Sequence, residues 1–422
     1  MAKKSKEVTT ILNKVSSAGY DIYCAGECVA ATELGGSPLD WDMYTTCPQD
    51  KIREMFPEGE AIGKRTTRLD YSTFIESNDL QNIADHYDGI IADIVTLEGS
   101  MEEQLRIYDF TCEAIADHPS RAAIDPYGGL SDIKRRLLQP VGDANDKFKA
   151  KPILMLKALR YVGLYGFDLS RDLYNAIKAN SDRLEFADKE EILYEFSTAI
   201  NGNHAGKYLK MIKGLGLLKI LVGEEGLVSD HRSKNDYDIL CENIDRIKHI
   251  TLRRLGLFYL CFEKHYEKAV TYLPHDELDQ EYLLEAKREL PKLHFAGDDK
   301  ALKKFICRHG WDKYNYFDKL SKAQVIVYGY SNQRVTGRDA ILKEILAQHQ
   351  PIFVEDLKID ADDIIEAGIT NDRKRAEELL MMLTDIVHTK VQNNDRDILL
   401  KHARIFNKSK LRAAFRDVSW LR

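Results

Sequence analysis

An α+β fold is what this sequence predicts, with a small mixed domain first and a long helical region after it. Three observations carry the prediction. Short β-like runs alternate with turns and brief helical stretches through the first third of the chain. Seven of the ten prolines lie at or before Pro152. From Ile153 onward, apolar residues recur almost everywhere with the helical period rather than the strand period.

The elements follow in order. Val8–Ser17 carries an amphipathic helical pattern. Asp21–Ala25 is a short apolar run with strand composition, and Gly26 supplies a turn after it. A helix-like segment leads to Gly35-Gly36-Ser37-Pro38, which punctuates the chain before a second strand at Asp40–Thr45. A helix is predicted over Gln49–Met55, and strands over Arg68–Ile75 and Gly89–Leu97. That mixture suits a small α/β or α+β domain. Leu154, Leu156, Leu159 and Tyr161 begin a buried helix. Tyr208, Met211, Ile212 and Leu215 form another apolar stripe, which Gly216 ends. The remainder reads as stacked helices with short connections. The expected organisation is a head at 1–140, a helical neck at 141–225, a helical body at 226–350 and a helical tail at 351–422.

The 422 residues are 44% hydrophobic and 31% charged, ordinary for a soluble globular protein. Net charge is −7, so nucleic-acid binding would need local basic patches in an acidic field. No apolar run is long enough to span a bilayer. The start, Met-Ala-Lys-Lys-Ser-Lys, runs straight into a helix without a secretory core. Seven cysteines without paired short spacings argue for free thiols in a reducing, cytoplasmic setting, and Cys24 and Cys28 read as small buried residues.

The chemistry concentrates in Leu39-Asp40-Trp41-Asp42-Met43-Tyr44. Carboxylates two apart on a strand face the same side. Such a pair can hold magnesium, which prefers oxygen ligands and bridges carboxylates to phosphates. The bland alternative is two surface acids on a strand edge, but aspartate is disfavoured in strands. At the other end, residues 401–422 hold seven Lys/Arg and one acid, Asp417, with Phe406, Phe415 and Trp420 interleaved. That pattern fits either a phosphate-tracking, base-stacking segment or a solvated amphipathic helix.

Several motifs together resemble the class II tRNA nucleotidyltransferases (CCA-adding enzymes) and bacterial poly(A) polymerases. They are Tyr23-Cys24-Ala25-Gly26, the Asp40/Asp42 strand, Ala92-Asp93-Ile94-Val95-Thr96-Leu97, Asp109-Phe110-Thr111, and Asp125-Pro126-Tyr127-Gly128-Gly129-Leu130-Ser131-Asp132. Val141-Gly142-Asp143, Lys157-Ala158-Leu159-Arg160-Tyr161, the segment His204 to Leu218 and the segment Leu357 to Ile369 add weaker matches. The resemblance implies template-independent nucleotidyl transfer to the 3′ end of a tRNA-like RNA from a nucleoside triphosphate. Asp40, Asp42 and Asp93 would be catalytic and would hold two Mg2+ ions. One ion would activate the acceptor hydroxyl; the other would neutralise the leaving pyrophosphate. Gly26, Asp109, Lys157 and Arg160 are the expected nucleotide-binding residues.

The departures are equally specific. Where the family has Gly-Gly-x-Val-Arg-Asp, this chain has Gly26-Glu27-Cys28-Val29-Ala30-Ala31. Two family arginines fall at Ile107 and Tyr108, an asparagine at Glu113, and a basic residue at Glu98. The family's base-reading Glu-Asp-x-x-Arg falls on Ala150-Lys151-Pro152-Ile153-Leu154, which cannot make the same bidentate contacts. Unpaired phosphate charge is costly in a cleft, so Lys64, Arg65, Arg68, Lys151, Lys157 and Arg160 are the available substitutes. Altered or relaxed nucleotide selection is therefore expected. The alternative is a pseudo-nucleotidyltransferase that binds RNA or protein. Many bacterial relatives also carry a phosphohydrolase with adjacent His-Asp on a helix. The corresponding stretch here reads Leu260-Cys261-Phe262-Glu263, and His275-Asp276 sits in a turn-like context, so that activity is not expected. Cys307-Arg308-His309 is expected to be structural.

Overall fold

The structure is a computed structural model and describes residues 4–75, 86–226, 231–247 and 251–408. It divides into two units, residues up to Glu277 and residues from Leu278 onward.

The first unit opens with α1 (Lys6–Ser17), whose Val8, Ile11, Leu12 and Val15 are buried at helical spacing. Ser5 caps it by accepting from the Val8 amide. The strands are β1 (Ile22–Ala25), β2 (Asp40–Thr45), β3 (Glu60–Ile62), β4 (Thr66–Asp70), β5 (Thr73–Ile75), β6 (His86–Asp88), β7 (Ile91–Thr96) and β8 (Ala116–Asp117). Six of them form one mixed sheet in the order β3-β4-β7-β2-β1-β8. Only β2 and β7 run parallel; the other pairs are antiparallel. The expected strand over Arg68–Ile75 is two strands in two sheets. The cause is local: Asp70 accepts from both the amide and the hydroxyl of Ser72, which turns the chain out of β4.

Trp41 and Met43 on β2, Thr67 and Leu69 on β4, and Ala92 and Ile94 on β7 point to the buried side of the sheet. The helix α3 (Gln49–Met55) meets Thr67 on that side through the Gln49 amide. The opposite face carries Asp40 and Asp42. Between β1 and β2 runs α2 (Glu27–Glu33), with Gly26 as its N-cap. The helix α4 (Met101–Leu105) starts in a capping box between Ser100 and Glu103.

The Asp-Pro-x-Gly-Gly element is a folding device. Asp125 accepts from the amides of Gly129 (2.6 Å) and Leu130 (3.0 Å) and so starts α5 (Gly129–Arg135). Gly128 sits at φ 73, where an L side chain is strained. A Cβ on Gly129 would lie 2.0 Å from the Thr111 carbonyl oxygen. Asp132 is buried and accepts from Thr111 (2.7 Å) and Gln139 (2.9 Å).

Helices then dominate: α6 (Ala144–Ala150), α7 (Leu154–Tyr165), α8 (Arg171–Asn180), α9 (Lys189–Ile200) and α10 (Ala205–Gly214). Leu154, Leu156, Leu159 and Tyr161 on α7 are buried, as are Tyr208 and Ile212 on α10. The helices α7 and α9 meet backbone to backbone near their C-terminal ends. A Cβ on Gly163 would lie 2.4 Å from the Ala199 carbonyl oxygen. His275 is buried against Tyr259 (2.8 Å) and lies outside any helix. Burial lowers its pKa to about 4, so the ring is neutral.

The second unit is helical. Glu289 is fully buried and accepts from Arg288 (2.7 Å) and Lys292 (2.8 Å), with His309 at 3.2 Å. That pairing gives His309 a structural role. Arg338 and Asp318 form another buried pair at 2.6 Å. The apolar cluster around Leu379, Leu383, Leu399 and Ala403 takes in Phe406. Of the basic C-terminal stretch, Lys401–Lys408 belongs to the last described helix, Arg396–Lys408. Residues 409–422, with Phe415 and Trp420, lie outside the described residues.

Candidate functional site

The site is a row of side chains across the sheet. Strand register places Ala116, Ala25, Asp42, Asp93, Arg68 and Glu60 side by side, one from each strand. Residues paired in this way share one face. Asp40 sits two residues before Asp42 on the same face. The sheet therefore brings the three expected acids to one surface.

Gly26 follows β1 at φ 88. A Cβ there would lie 3.0 Å from an Asp42 carboxylate oxygen and 3.0 Å from the Tyr108 ring. Glycine is what lets the backbone pass Asp42 this closely. Tyr108, at a position where the family resembled here has arginine, packs its ring into that turn. Its hydroxyl lies 3.3 Å from that of Tyr44.

Crowding shows in the carboxyl groups. Burial, then the charges of Asp93 and Asp40, push Asp42 up to about 6. Burial raises Asp40 as well, with Arg68 opposing and Asp93 adding. Asp93 has a partner of its own. Arg68 grips it with a fork, Nε to Oδ1 and Nη2 to Oδ2, both at 2.7 Å. Asp40 and Asp42 therefore present free carboxylate oxygens to a hard cation, whereas each Asp93 oxygen already accepts from Arg68, whose positive charge competes with a cation there. Among the described residues, no three His, Cys, Asp or Glu side chains are gathered closely enough to hold a metal. Magnesium needs only one or two protein carboxylates when substrate phosphates complete its shell, so the Asp40/Asp42 pair fits it.

Four of the six cations expected to meet a triphosphate, Arg65, Arg68, Lys157 and Arg160, are engaged within the chain; among the described residues Lys64 and Lys151 have no carboxylate partner. Lys157 lies 2.9 Å from Glu113 and 3.4 Å from Asp109. Burial works against its charge, but Glu113 and Asp109 outweigh that and hold it protonated. Burial pushes Glu113 up, and Lys157 and Tyr161 pull against it. The Tyr161 hydroxyl donates to Glu113 at 2.7 Å. Arg160 forks onto Glu27 (2.6 and 2.9 Å) and donates through Nε to Glu195 (2.7 Å). Asp109 also lies 3.5 Å from Lys147. Arg65 pairs with Glu98 at 2.8 Å. Glu27 and Glu195 are site residues that the sequence reading missed. Glu27 was visible as the residue replacing a family glycine; Glu195 carried no signal.

A cleft of about 350 Å³ opens between the N-terminal turns of α7 and α9. Lys151, Ile153, Leu154 and Lys157 line one wall; Glu190, Glu191, Tyr194 and Glu195 line the other. Lys157 and Glu195 connect it, through Glu113 and Arg160, to the Gly26 turn.

Residues 166–225 match the family model described as "Probable RNA and SrmB-binding site of polymerase A". The CCA-adding enzyme of Geobacillus thermodenitrificans is 30% identical over 216 residues, covering 50% of this chain and 54% of that protein. That of Geobacillus stearothermophilus is 29% identical over 224 residues, covering 52% and 55%. The chain thus spans about half the length of the curated relatives it matches. The crystal structure of the Bacillus stearothermophilus CCA-adding enzyme in complex with CTP superposes with a TM-score of 0.74 at 20% identity, covering 96% of this chain and 98% of that one. The Thermotoga maritima CCA-adding enzyme complexed with tRNA gives 0.60 at 16% identity, covering 95% and 96%. At that identity the likeness is one of fold. No helix among the described residues is long and apolar enough to cross a membrane.

Proposed function

We propose that this chain, a member of the class II tRNA nucleotidyltransferase family, adds nucleotides to the 3′ end of a tRNA-like RNA without a nucleic-acid template. One observation carries the proposal: Asp40, Asp42 and Asp93 share one sheet face beside the Gly26 turn. The head, neck, body and tail organisation expected from the sequence is part of this reading. RNA and a nucleoside triphosphate are its partners. The relatives named above support it, since one is in complex with CTP and another with tRNA.

Mg2+ is the proposed cofactor, in a two-ion arrangement on Asp40, Asp42 and Asp93. When bound, it would lower the pKa of the acceptor hydroxyl and offset charge on the leaving pyrophosphate. The chain's own residues set the conditions. Asp42 sheds its proton near pH 6, so the carboxylate face reaches full charge only above that. Arg68 holds Asp93 in place until a cation competes for it. Gly26 keeps side-chain bulk away from Asp42. Nucleotide selection is altered in this proposal, because Ala150, Lys151 and Leu154 stand where the family reads the base.

A second reading has its own support. Lys157 and Arg160 are already neutralised by Glu113, Asp109, Glu27 and Glu195, which favours a degenerate site that binds RNA without extending it. The deciding assay incubates end-labelled tRNA lacking its 3′ terminus with magnesium and each triphosphate separately. Extension abolished by Asp42→Ala supports transfer. RNA retention without extension, indifferent to Asp42→Ala, supports the binding protein and rejects the enzyme.

A further inference from the structure

We infer that Tyr194 is a stacking platform for the nucleobase of the incoming triphosphate, so that this site holds a base by its face rather than by its edge. The inference rests on the transferase reading above and deepens it.

Tyr194 is 62% exposed, unusual for a large aromatic in the middle of a helix. Its neighbours Ile192 and Phe196 are buried in the core, whereas its own ring lines the α7–α9 cleft. Facing it are Ile153 and Leu154, aliphatic residues that offer neither donor nor acceptor from their side chains. The cleft volume of about 350 Å³ lies within the range of small-ligand sites. An exposed aromatic ring across from two aliphatic side chains, with Lys151 and Lys157 flanking them, offers a face on which a flat ring can stack.

Its position fixes which part of a nucleotide would enter. The helices are zipped near their C-terminal ends, where Ala199 meets Gly163, and one turn earlier, where Glu195 meets Arg160. They part where Tyr194 stands. From the cleft, Glu195 and Arg160 lead to Glu27, beside the Gly26 turn and Asp42. Phosphates would lie toward the carboxylates and any cation they hold. Three acids, Glu190, Glu191 and Glu195, line the cleft against two cations, Lys151 and Lys157, and Lys157 is already held by Glu113 and Asp109. That balance favours the base over the phosphates as the part that occupies it. Stacking tolerates all four bases because each has a π-face, which gives relaxed selection a physical basis without invoking lost contacts alone.

The test is a binding titration with 2-aminopurine riboside triphosphate and magnesium. Unlabelled ATP, CTP, GTP and UTP serve as competitors, and wild type, Tyr194→Ala and Tyr194→Phe are compared. Stacking on tyrosine should quench the probe in wild type. Tyr194→Phe keeps the ring and should bind within about twofold, while Tyr194→Ala should weaken all four competitors alike, by about tenfold or more. Wild-type affinity in Tyr194→Ala, binding without quenching, or a loss confined to one base would overturn the platform and leave the transferase reading standing. Failure of wild type to bind any triphosphate would instead remove the transferase reading, and the platform with it.

Discussion

Asp42→Asn should make the protein more stable while removing its activity. Burial, Asp93 and Asp40 together lift the Asp42 carboxyl from an ordinary 3.8 to about 6. An aspartate whose folded pKa lies above its unfolded value takes up a proton more readily when folded. Its charge therefore opposes folding above pH 6. The penalty fades as pH falls through 6 and is gone below about 4. A shift of this size is worth about 3 kcal/mol if fully expressed. Asp42 stands on the solvent side of β2, where water screens its neighbours, so about 1 kcal/mol is the expected gain. Asparagine keeps the shape and removes the charge. Urea unfolding with EDTA at pH 8, 6 and 4 should show the variant ahead at pH 8 and level with wild type at pH 4. Millimolar magnesium should then raise the wild-type midpoint and leave the variant unmoved, because ligand binding stabilises only the state that binds. Equal stability at pH 8, or a gap that widens toward pH 4, would refute the claim that the three acids crowd one another.

Three further outcomes are expected. Arg68→Met frees Asp93 from its fork and removes a competing cation, so the magnesium concentration giving half-maximal thermal stabilisation should fall; an unchanged value would mean that Asp93 takes no part in holding the ion. Lys157→Met strands Glu113, which is only 1% exposed, and should cost about 3–5 kcal/mol by urea unfolding, with most of it restored when Glu113→Gln is added. In the second unit, burial pushes Glu289 up, but Lys292, Arg288 and His309 outweigh it and hold it at about 2. Its folded pKa is depressed, so its contribution of about 3 kcal/mol is present above pH 4.5 and is lost as pH falls toward 2. Acid unfolding of Glu289→Gln should lack that slope.

Local patterns told much of this in advance. Alternation alone put Asp40 and Asp42 on one face, because a strand has a period of two. Gly26 was legible as a turn, and the structure adds why only glycine serves there: the backbone passes within contact of Asp42 and Tyr108. The helical period after Ile153 marked α7 and α10; α10 buries one apolar face, whereas α7 is covered on nearly every side. The retained Asp-Pro-x-Gly-Gly element was recognisable as sequence, but its work, capping α5 and seating Asp132 under Thr111, was not.

Pattern along the chain therefore supplies an inventory: an α+β chain, a paired-acid strand and, by resemblance, other residues where the family has arginine. Which charge neutralises which became visible only once the chain was folded. Arg68 reaches Asp93 across 25 positions because β4 runs antiparallel to β7. Arg160 reaches Glu27 across 133 positions and Glu195 across 35 because α2, α7 and α9 converge. Charge pairing depends on distance through space, and a one-dimensional pattern records only distance along the chain. For that reason Arg65, Arg68, Lys157 and Arg160, which read as free for a triphosphate, are found already bound to carboxylates.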